Sequence, residues 1–170
     1  MREIDPGFAH INLGHSDINT AIAKYGPKML KKFQIFEEEY ELKYFTGLKP
    51  YPELIAFLKA EGKKYTNFLY TSNVKKIIYP ALLELGLENS FSKVVTFDDI
   101  DFMKPHPDGL KFILDSAIPK SKYLFVGDSP SDEGAAKAAG LDFFKIHFFH
   151  EWTTFRRQNS GYRAILNSKL

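Results

Sequence analysis

Short apolar runs that alternate with helix-like segments constrain the fold of this chain more than any other feature. The apolar runs of strand length are Phe8–Leu13, Phe68–Tyr70, Val94–Phe97, Tyr123–Val126 and Phe143–Ile146. Segments with helical spacing separate them, at Glu53–Ala60, Lys75–Leu85 and Gly109–Asp115. Such alternation is typical of βαβ units, whose strands form a parallel sheet. We therefore predict an α/β fold of the three-layer, Rossmann-like kind.

The segment between about residues 20 and 50 has a helical period and no strand pattern. Its apolar positions recur three to five residues apart, at Ile22, Tyr25, Met29, Phe33, Phe36, Tyr40 and Phe45. We predict a small helical insertion within a single domain of residues 1–170. From about residue 151 we expect a C-terminal extension of mixed polar and aromatic character.

Composition and charge exclude several classes of protein. The absence of cysteine excludes disulfide frameworks, thiolate metal sites and thiol catalysis. With 23 basic and 21 acidic residues, the chain has no general attraction for nucleic acid or anionic lipid. Because no apolar run reaches the roughly 18 residues of a membrane span and no secretory pattern opens the sequence, we expect a cytoplasmic protein.

The turn Gly127–Asp132 carries the clearest chemical signal. An apolar run leads directly into it and places Asp128 and Asp132 where a strand ends and a helix begins. Ligands of open α/β sheets bind beyond the carboxyl ends of strands, and carboxylate oxygens suit Mg²⁺. A structural interpretation is equally open, in which Asp128 forms an Asx-turn and Asp132 caps the next helix.

Three stretches in order resemble the motifs of the haloacid dehalogenase-like hydrolase superfamily, most of whose members are phosphatases. They are Leu69–Asn73, Lys104–Gly109 and Gly127–Asp132, and the resemblance covers roughly residues 8 to 147. The chain resembles the phosphoglycolate-phosphatase-like branch of this superfamily. This resemblance implies a parallel sheet with a small helical cap at about residues 20–50.

The resemblance also implies roles for individual residues. Thr71, with Ser72 beside it, would bind phosphate, and Lys104 would neutralise its charge. Asp128 would bind Mg²⁺, and Asp132 would support the metal shell. These roles suit phosphoryl transfer, which depends on positioning and on stabilising charge over the phosphoryl oxygens.

The family's N-terminal Asp-x-Asp motif is missing from this chain. The best match begins at Asn12, which stands in place of the nucleophile, with Gly14 in place of the acid/base. A rival alignment makes Asp17 the nucleophile and leaves Asn19 at the acid/base position. We prefer the first, because Phe8–Leu13 can form the strand that must precede the nucleophile.

The missing carboxylates decide the predicted function. Since a neutral amide is a very poor nucleophile, we predict a pseudoenzyme that binds phosphate or a small phosphorylated ligand, with lost or greatly weakened hydrolysis and weakened Mg²⁺ binding. The alternative is an active Mg²⁺-dependent phosphatase of small phosphorylated metabolites that uses Asp17. A protein partner or a second copy of the chain would contact the helical cap or the C-terminal extension.

Overall fold

A computed structural model describes residues 14–45 and 51–146. Its helices and strands, in chain order, are α1 His15–Tyr25, α2 Pro27–Tyr44, α3 Pro52–Ala60, β1 Phe68–Tyr70, α4 Lys75–Glu84, β2 Lys93–Val95, β3 Leu124–Gly127, α5 Pro130–Ala139 and β4 Asp142–Lys145. Short 3₁₀ turns lie at Gly62–Lys64, Phe97–Asp99, Asp108–Phe112 and Lys120–Lys122. None of the helices in these two ranges combines the length and the hydrophobicity to cross a membrane.

The four described strands form two parallel pairs. β1 pairs with β2, with Leu69 opposite Val94, and β3 pairs with β4, with Val126 opposite Phe144. Helix α4 connects the first pair and α5 the second, so each pair is a βαβ unit. The predicted α/β class is confirmed, with strands parallel as the alternating pattern requires.

Among the predicted strands and the helices that separate them, the predicted boundaries differ from the observed ones by more than one residue in two places. β2 ends at Val95, because Phe97 already begins a 3₁₀ turn, and the helix predicted at Gly109–Asp115 is instead a 3₁₀ turn at Asp108–Phe112. The predicted strand Phe8–Leu13 and the extension from residue 151 lie outside the described residues.

Helices α1 and α2 lie in the segment of the predicted helical insertion, and α1 begins earlier than the predicted helical period, at His15. Gly26 joins the two helices with φ 72°, a conformation that glycine adopts at little cost, and Pro27 opens α2. The buried faces of the two helices share one core with residues at and beyond the carboxyl ends of β1 and β2. This core contains Ile18, Ile22, Met29, Phe33, Val74, Ile77, Val95, Phe97, Ile100 and Met103.

The first turns of α1 are fixed to the loop that contains Lys104. Asn19 Nδ2 donates to Met103 O at 2.7 Å, and Met103 N donates to Asn19 Oδ1 at 2.7 Å. His15 Nδ1 donates to Lys104 O at 3.0 Å. The insertion therefore contacts the backbone of a predicted site residue, and Asn19 has a structural role there.

Candidate functional site

Lys104 joins the three motif stretches at one point. Its side chain is buried, and Nζ donates to Asp132 Oδ1 at 2.6 Å and to Tyr70 O at 3.3 Å. The ammonium also lies 4.9 Å from the centroid of the Tyr70 ring. Because Tyr70 ends β1 and Asp132 lies in the first turn of α5, this one cation connects the carboxyl ends of the two strand pairs.

Asp132 uses both of its carboxylate oxygens within the protein. Oδ1 accepts from Lys104, while Oδ2 accepts from Ser129 N at 3.1 Å and from Ser129 Oγ at 2.6 Å. Burial alone would raise its pKa, but the Lys104 charge and the bonds from Lys104 and Ser129 hold the pKa of Asp132 below its ordinary value. The helix-capping interpretation is thus observed for Asp132, which holds Lys104 in place and has no oxygen without a protein partner.

Glycine at two positions lets α5 approach this pair closely. A Cβ added to Gly127 would lie 2.6 Å from the Cβ of Asp132, and one added to Gly134 would lie 2.6 Å from the Cβ of Pro105. Both distances are far shorter than a van der Waals contact between carbons. The two glycines therefore permit the packing that brings Asp132 to Lys104.

We expect Gly127→Ala to lower the free energy of unfolding by about 1–3 kcal/mol, because the new methyl group displaces Asp132. Urea unfolding monitored by circular dichroism measures the change. The exposed residue Lys137, also on α5, offers a control: Lys137→Ala should stay within about 0.5 kcal/mol. A Gly127→Ala protein as stable as that control would contradict the packing described above.

Thr71 and Ser72 follow β1 directly, beside the Tyr70 carbonyl that accepts from Lys104. Thr71 Oγ1 donates to Asn73 Oδ1 at 2.9 Å. The Ser72 hydroxyl is buried and makes no hydrogen bond with residues 14–45 or 51–146. The structure therefore brings both predicted phosphate-binding hydroxyl residues to the edge where Lys104 lies.

Asp128 is the predicted metal ligand that remains accessible. It directly follows β3, is exposed, and makes no hydrogen bond or ion pair with the described parts of the chain. Within those parts, no group of three or more His, Cys, Asp or Glu side chains could hold a metal. A single accessible carboxylate nevertheless fits Mg²⁺, which keeps several waters and takes few protein ligands.

The structure describes one of the two predicted nucleophile positions, Asp17. Asn12 lies outside the described residues. Asp17 lies in the first turn of α1, where its Oδ2 accepts from Gly14 N at 2.9 Å, so both residues belong to a helix start. The rival alignment requires a nucleophile at the end of a strand, and the structure places Asp17 on a helix.

A profile of the family described as "Haloacid dehalogenase-like hydrolase" matches residues 9–146. The chain belongs to the haloacid dehalogenase-like hydrolase family. The phosphoglycolate-phosphatase-like resemblance is confirmed by similar curated proteins. A phosphoglycolate phosphatase of Pseudomonas syringae pv. syringae is 36% identical over 131 residues, which are 76% of this chain and 46% of that protein. One of Yersinia pestis is 32% identical over 111 residues, which are 63% of this chain and 47% of that protein.

Solved structures of the family share the fold. A provisionally assigned haloacid dehalogenase-like hydrolase from Bacteroides fragilis superposes with a TM-score of 0.57 at 19% identity, covering 90% of this chain and 82% of that one. The chain spans about half the length of the curated relatives that it matches. The superposition shows that this haloacid dehalogenase-like chain shares its fold with that structure.

Glu41 is a residue of the site region that the sequence did not reveal. Oε1 accepts from Asn73 Nδ2 at 2.8 Å, and Oε2 accepts from Val74 N at 3.0 Å. Burial raises the pKa of Glu41 to about 7. Because Glu41 follows a run of three glutamates at 37–39, its sequence context is indistinguishable from a charged, solvated helix face.

Proposed function

We propose that this chain binds phosphate, or the phosphate group of a small phosphorylated molecule, beside Lys104. The observation that carries this proposal is the buried Lys104 ammonium, which Asp132 and the Tyr70 carbonyl hold at the end of β1. An ammonium has three N–H donors, and two of them are used by these partners. We propose that the third donates to the anion.

The neighbouring groups complete the proposed site. Thr71 and Ser72 follow β1 and offer hydroxyl donors for phosphate oxygens. Asp128, exposed after β3, would hold Mg²⁺ together with water and ligand oxygens. When bound, this cation would neutralise part of the charge on the phosphate. Asp132 acts through Lys104, whose ammonium it orients.

We further propose that phosphohydrolase activity is lost or greatly weakened. The amide of Asn12 cannot replace an attacking carboxylate, and Gly14 has no side chain to act as an acid or base. Losing a nucleophile costs on the order of 10⁶ in turnover in a well-characterised hydrolase. Asp17, the nucleophile of the rival alignment, lies in the first turn of α1 and accepts from Gly14 N, which supports this proposal.

An active phosphatase of small phosphorylated metabolites is the alternative function, and the names of the relatives favour it. It requires Asp17 to leave its bond with Gly14 N and act as nucleophile. Turnover of an aryl phosphate with Mg²⁺ separates the two proposals. We expect rates at the level of the uncatalysed control in both wild type and Asp17→Asn, whereas turnover abolished by Asp17→Asn would establish the alternative.

Calorimetric titration of inorganic phosphate tests the binding proposal. We expect Ser72→Ala to weaken binding about tenfold, since it removes one hydrogen bond from a hydroxyl without a described partner to a charged group, and Lys104→Ala to abolish it. The exposed residue Lys122 provides the matched control, because Lys122→Ala removes the same charge far from β1 in sequence. Equal binding by Lys104→Ala and wild type, or no binding by wild type, would falsify the proposal.

A further inference from the structure

A chain of hydrogen bonds runs from Glu41 on α2 to the Thr71 hydroxyl. Glu41 Oε2 accepts from Val74 N, and Oε1 accepts from Asn73 Nδ2. The other side of that amide, Asn73 Oδ1, accepts from Thr71 Oγ1 at 2.9 Å, and Asn73 N donates to Thr71 Oγ1 at 3.2 Å. A threonine hydroxyl has one proton, and here that proton is directed at Asn73.

The direction of this chain is set at Glu41. The Val74 N–H is a fixed backbone donor and takes one carboxylate oxygen, so the remaining oxygen faces the Asn73 amide as an acceptor. Because this oxygen can only accept a hydrogen bond, the NH₂ group of Asn73 must face it. Asn73 Oδ1 is then left facing Thr71. A donor at the same position would select the opposite orientation. Asn73 Nδ2 would then donate to Thr71 Oγ1, and the hydroxyl proton would be free for another acceptor.

We infer that Glu41 is a positioning residue that restrains anion binding: the ionised carboxylate keeps the Thr71 hydroxyl proton directed at Asn73 and away from a phosphate. The inference rests on the proposed phosphate site at Thr71 and Lys104. It gives the helical insertion a direct influence on the phosphate-binding loop, through a residue that touches neither the ligand nor the metal.

The surroundings of Glu41 allow its charge to change near neutral pH. Burial is the main cause of its raised pKa of about 7, and Glu37 on the same helix and Asp98 after β2 raise it further. The cations of α4 nearby are paired with other carboxylates, Lys75 with Asp99 and Lys76 with Glu38. Protonation of Glu41 places a donor where the ionised form has only acceptors.

Glu41→Gln is the variant that tests the inference. The glutamine oxygen can accept from Val74 N, which turns its NH₂ group toward Asn73 and reverses the chain. At pH 8, where Glu41 is ionised, we expect this variant to bind inorganic phosphate about fivefold more tightly than wild type, a gain of one net hydrogen bond. Glu38→Gln removes the same charge from the same helix and should bind as wild type does.

A double variant separates the hydroxyl from the change in charge. In Thr71→Val the proton is absent, so adding Glu41→Gln should produce no gain. A gain that persists without the hydroxyl would show that charge removal alone acts, and would overturn the inference. Unchanged or weaker binding by Glu41→Gln, with an unchanged thermal unfolding midpoint, would also overturn it. If Lys104→Ala still abolished phosphate binding in that case, the inference about Glu41 would fail but the proposed function would be retained.

Two further measurements test the inference, and the first does not depend on the folding of Glu41→Gln. Asn73→Ala removes the acceptor of the Thr71 proton and should also bind phosphate more tightly, and unchanged binding counts against the inference. Sulfate, which keeps its charge between pH 8 and pH 6, serves as the second probe. As the pH falls from 8 to 6, the affinity of wild type for sulfate should rise more steeply than the affinity of Glu41→Gln. Parallel profiles would contradict the inference.

Discussion

Lys104→Met is expected to lower the free energy of unfolding by about 3–5 kcal/mol and to abolish phosphate binding. Methionine has a similar length but no charge, so the Asp132 carboxylate would remain buried without its cation. Removing one partner of a buried ion pair costs this much because the other charge is left uncompensated. Urea unfolding and phosphate titration measure the two effects.

A second substitution identifies the source of that cost. In Lys104→Met/Asp132→Asn the unpaired charge is gone, so most of the lost stability should return while phosphate binding stays absent. If the double variant were no more stable than Lys104→Met alone, then lost packing of the lysine stem, and not the stranded carboxylate, would be the cause.

Asn19→Ala is expected to lower the free energy of unfolding by about 2–4 kcal/mol. The Asn19 side chain bonds both the N–H and the C=O of buried Met103. Each buried backbone group left without a partner costs about 1–3 kcal/mol. Chemical unfolding gives the value, and hydrogen exchange should show faster exchange of the Met103 amide.

Asn89 offers the matched control for this substitution, because it is an exposed asparagine in a turn. Asn89→Ala should change the stability by less than about 0.5 kcal/mol. Should Asn19→Ala behave in the same way, the contact between α1 and the Lys104 loop would not stabilise the fold.

The positions of most secondary-structure elements followed from local patterns. β1 lies at Phe68–Tyr70 as predicted, and α4 begins at Lys75 as predicted. These segments have apolar spacings that match one period, and turn residues bound them. The segment predicted as a helix at Gly109–Asp115 is instead a 3₁₀ turn at Asp108–Phe112. Position 109 within it requires glycine, because an added Cβ would lie 2.4 Å from the Tyr70 ring. That requirement comes from tertiary packing.

The site was predictable only in part, for a related reason. The resemblance assigns Lys104 to the phosphate and both Asp128 and Asp132 to the metal. The structure distinguishes the two carboxylates. Asp132 is buried and accepts hydrogen bonds from Lys104 and Ser129, whereas Asp128 is exposed. Burial and partner geometry depend on how α5 packs against the loop at Pro105, which no local pattern encodes.

By itself the sequence determined the α/β class, the order of the phosphate-site motifs and the absence of the Asp-x-Asp carboxylates, because each is a local property of residue type and spacing. Only the tertiary structure decided that Asn19 secures α1 to Met103 and that Glu41 reaches Asn73. These contacts join residues far apart in the chain. Their energies arise from burial and from hydrogen-bond partners that exist only once the helices have packed.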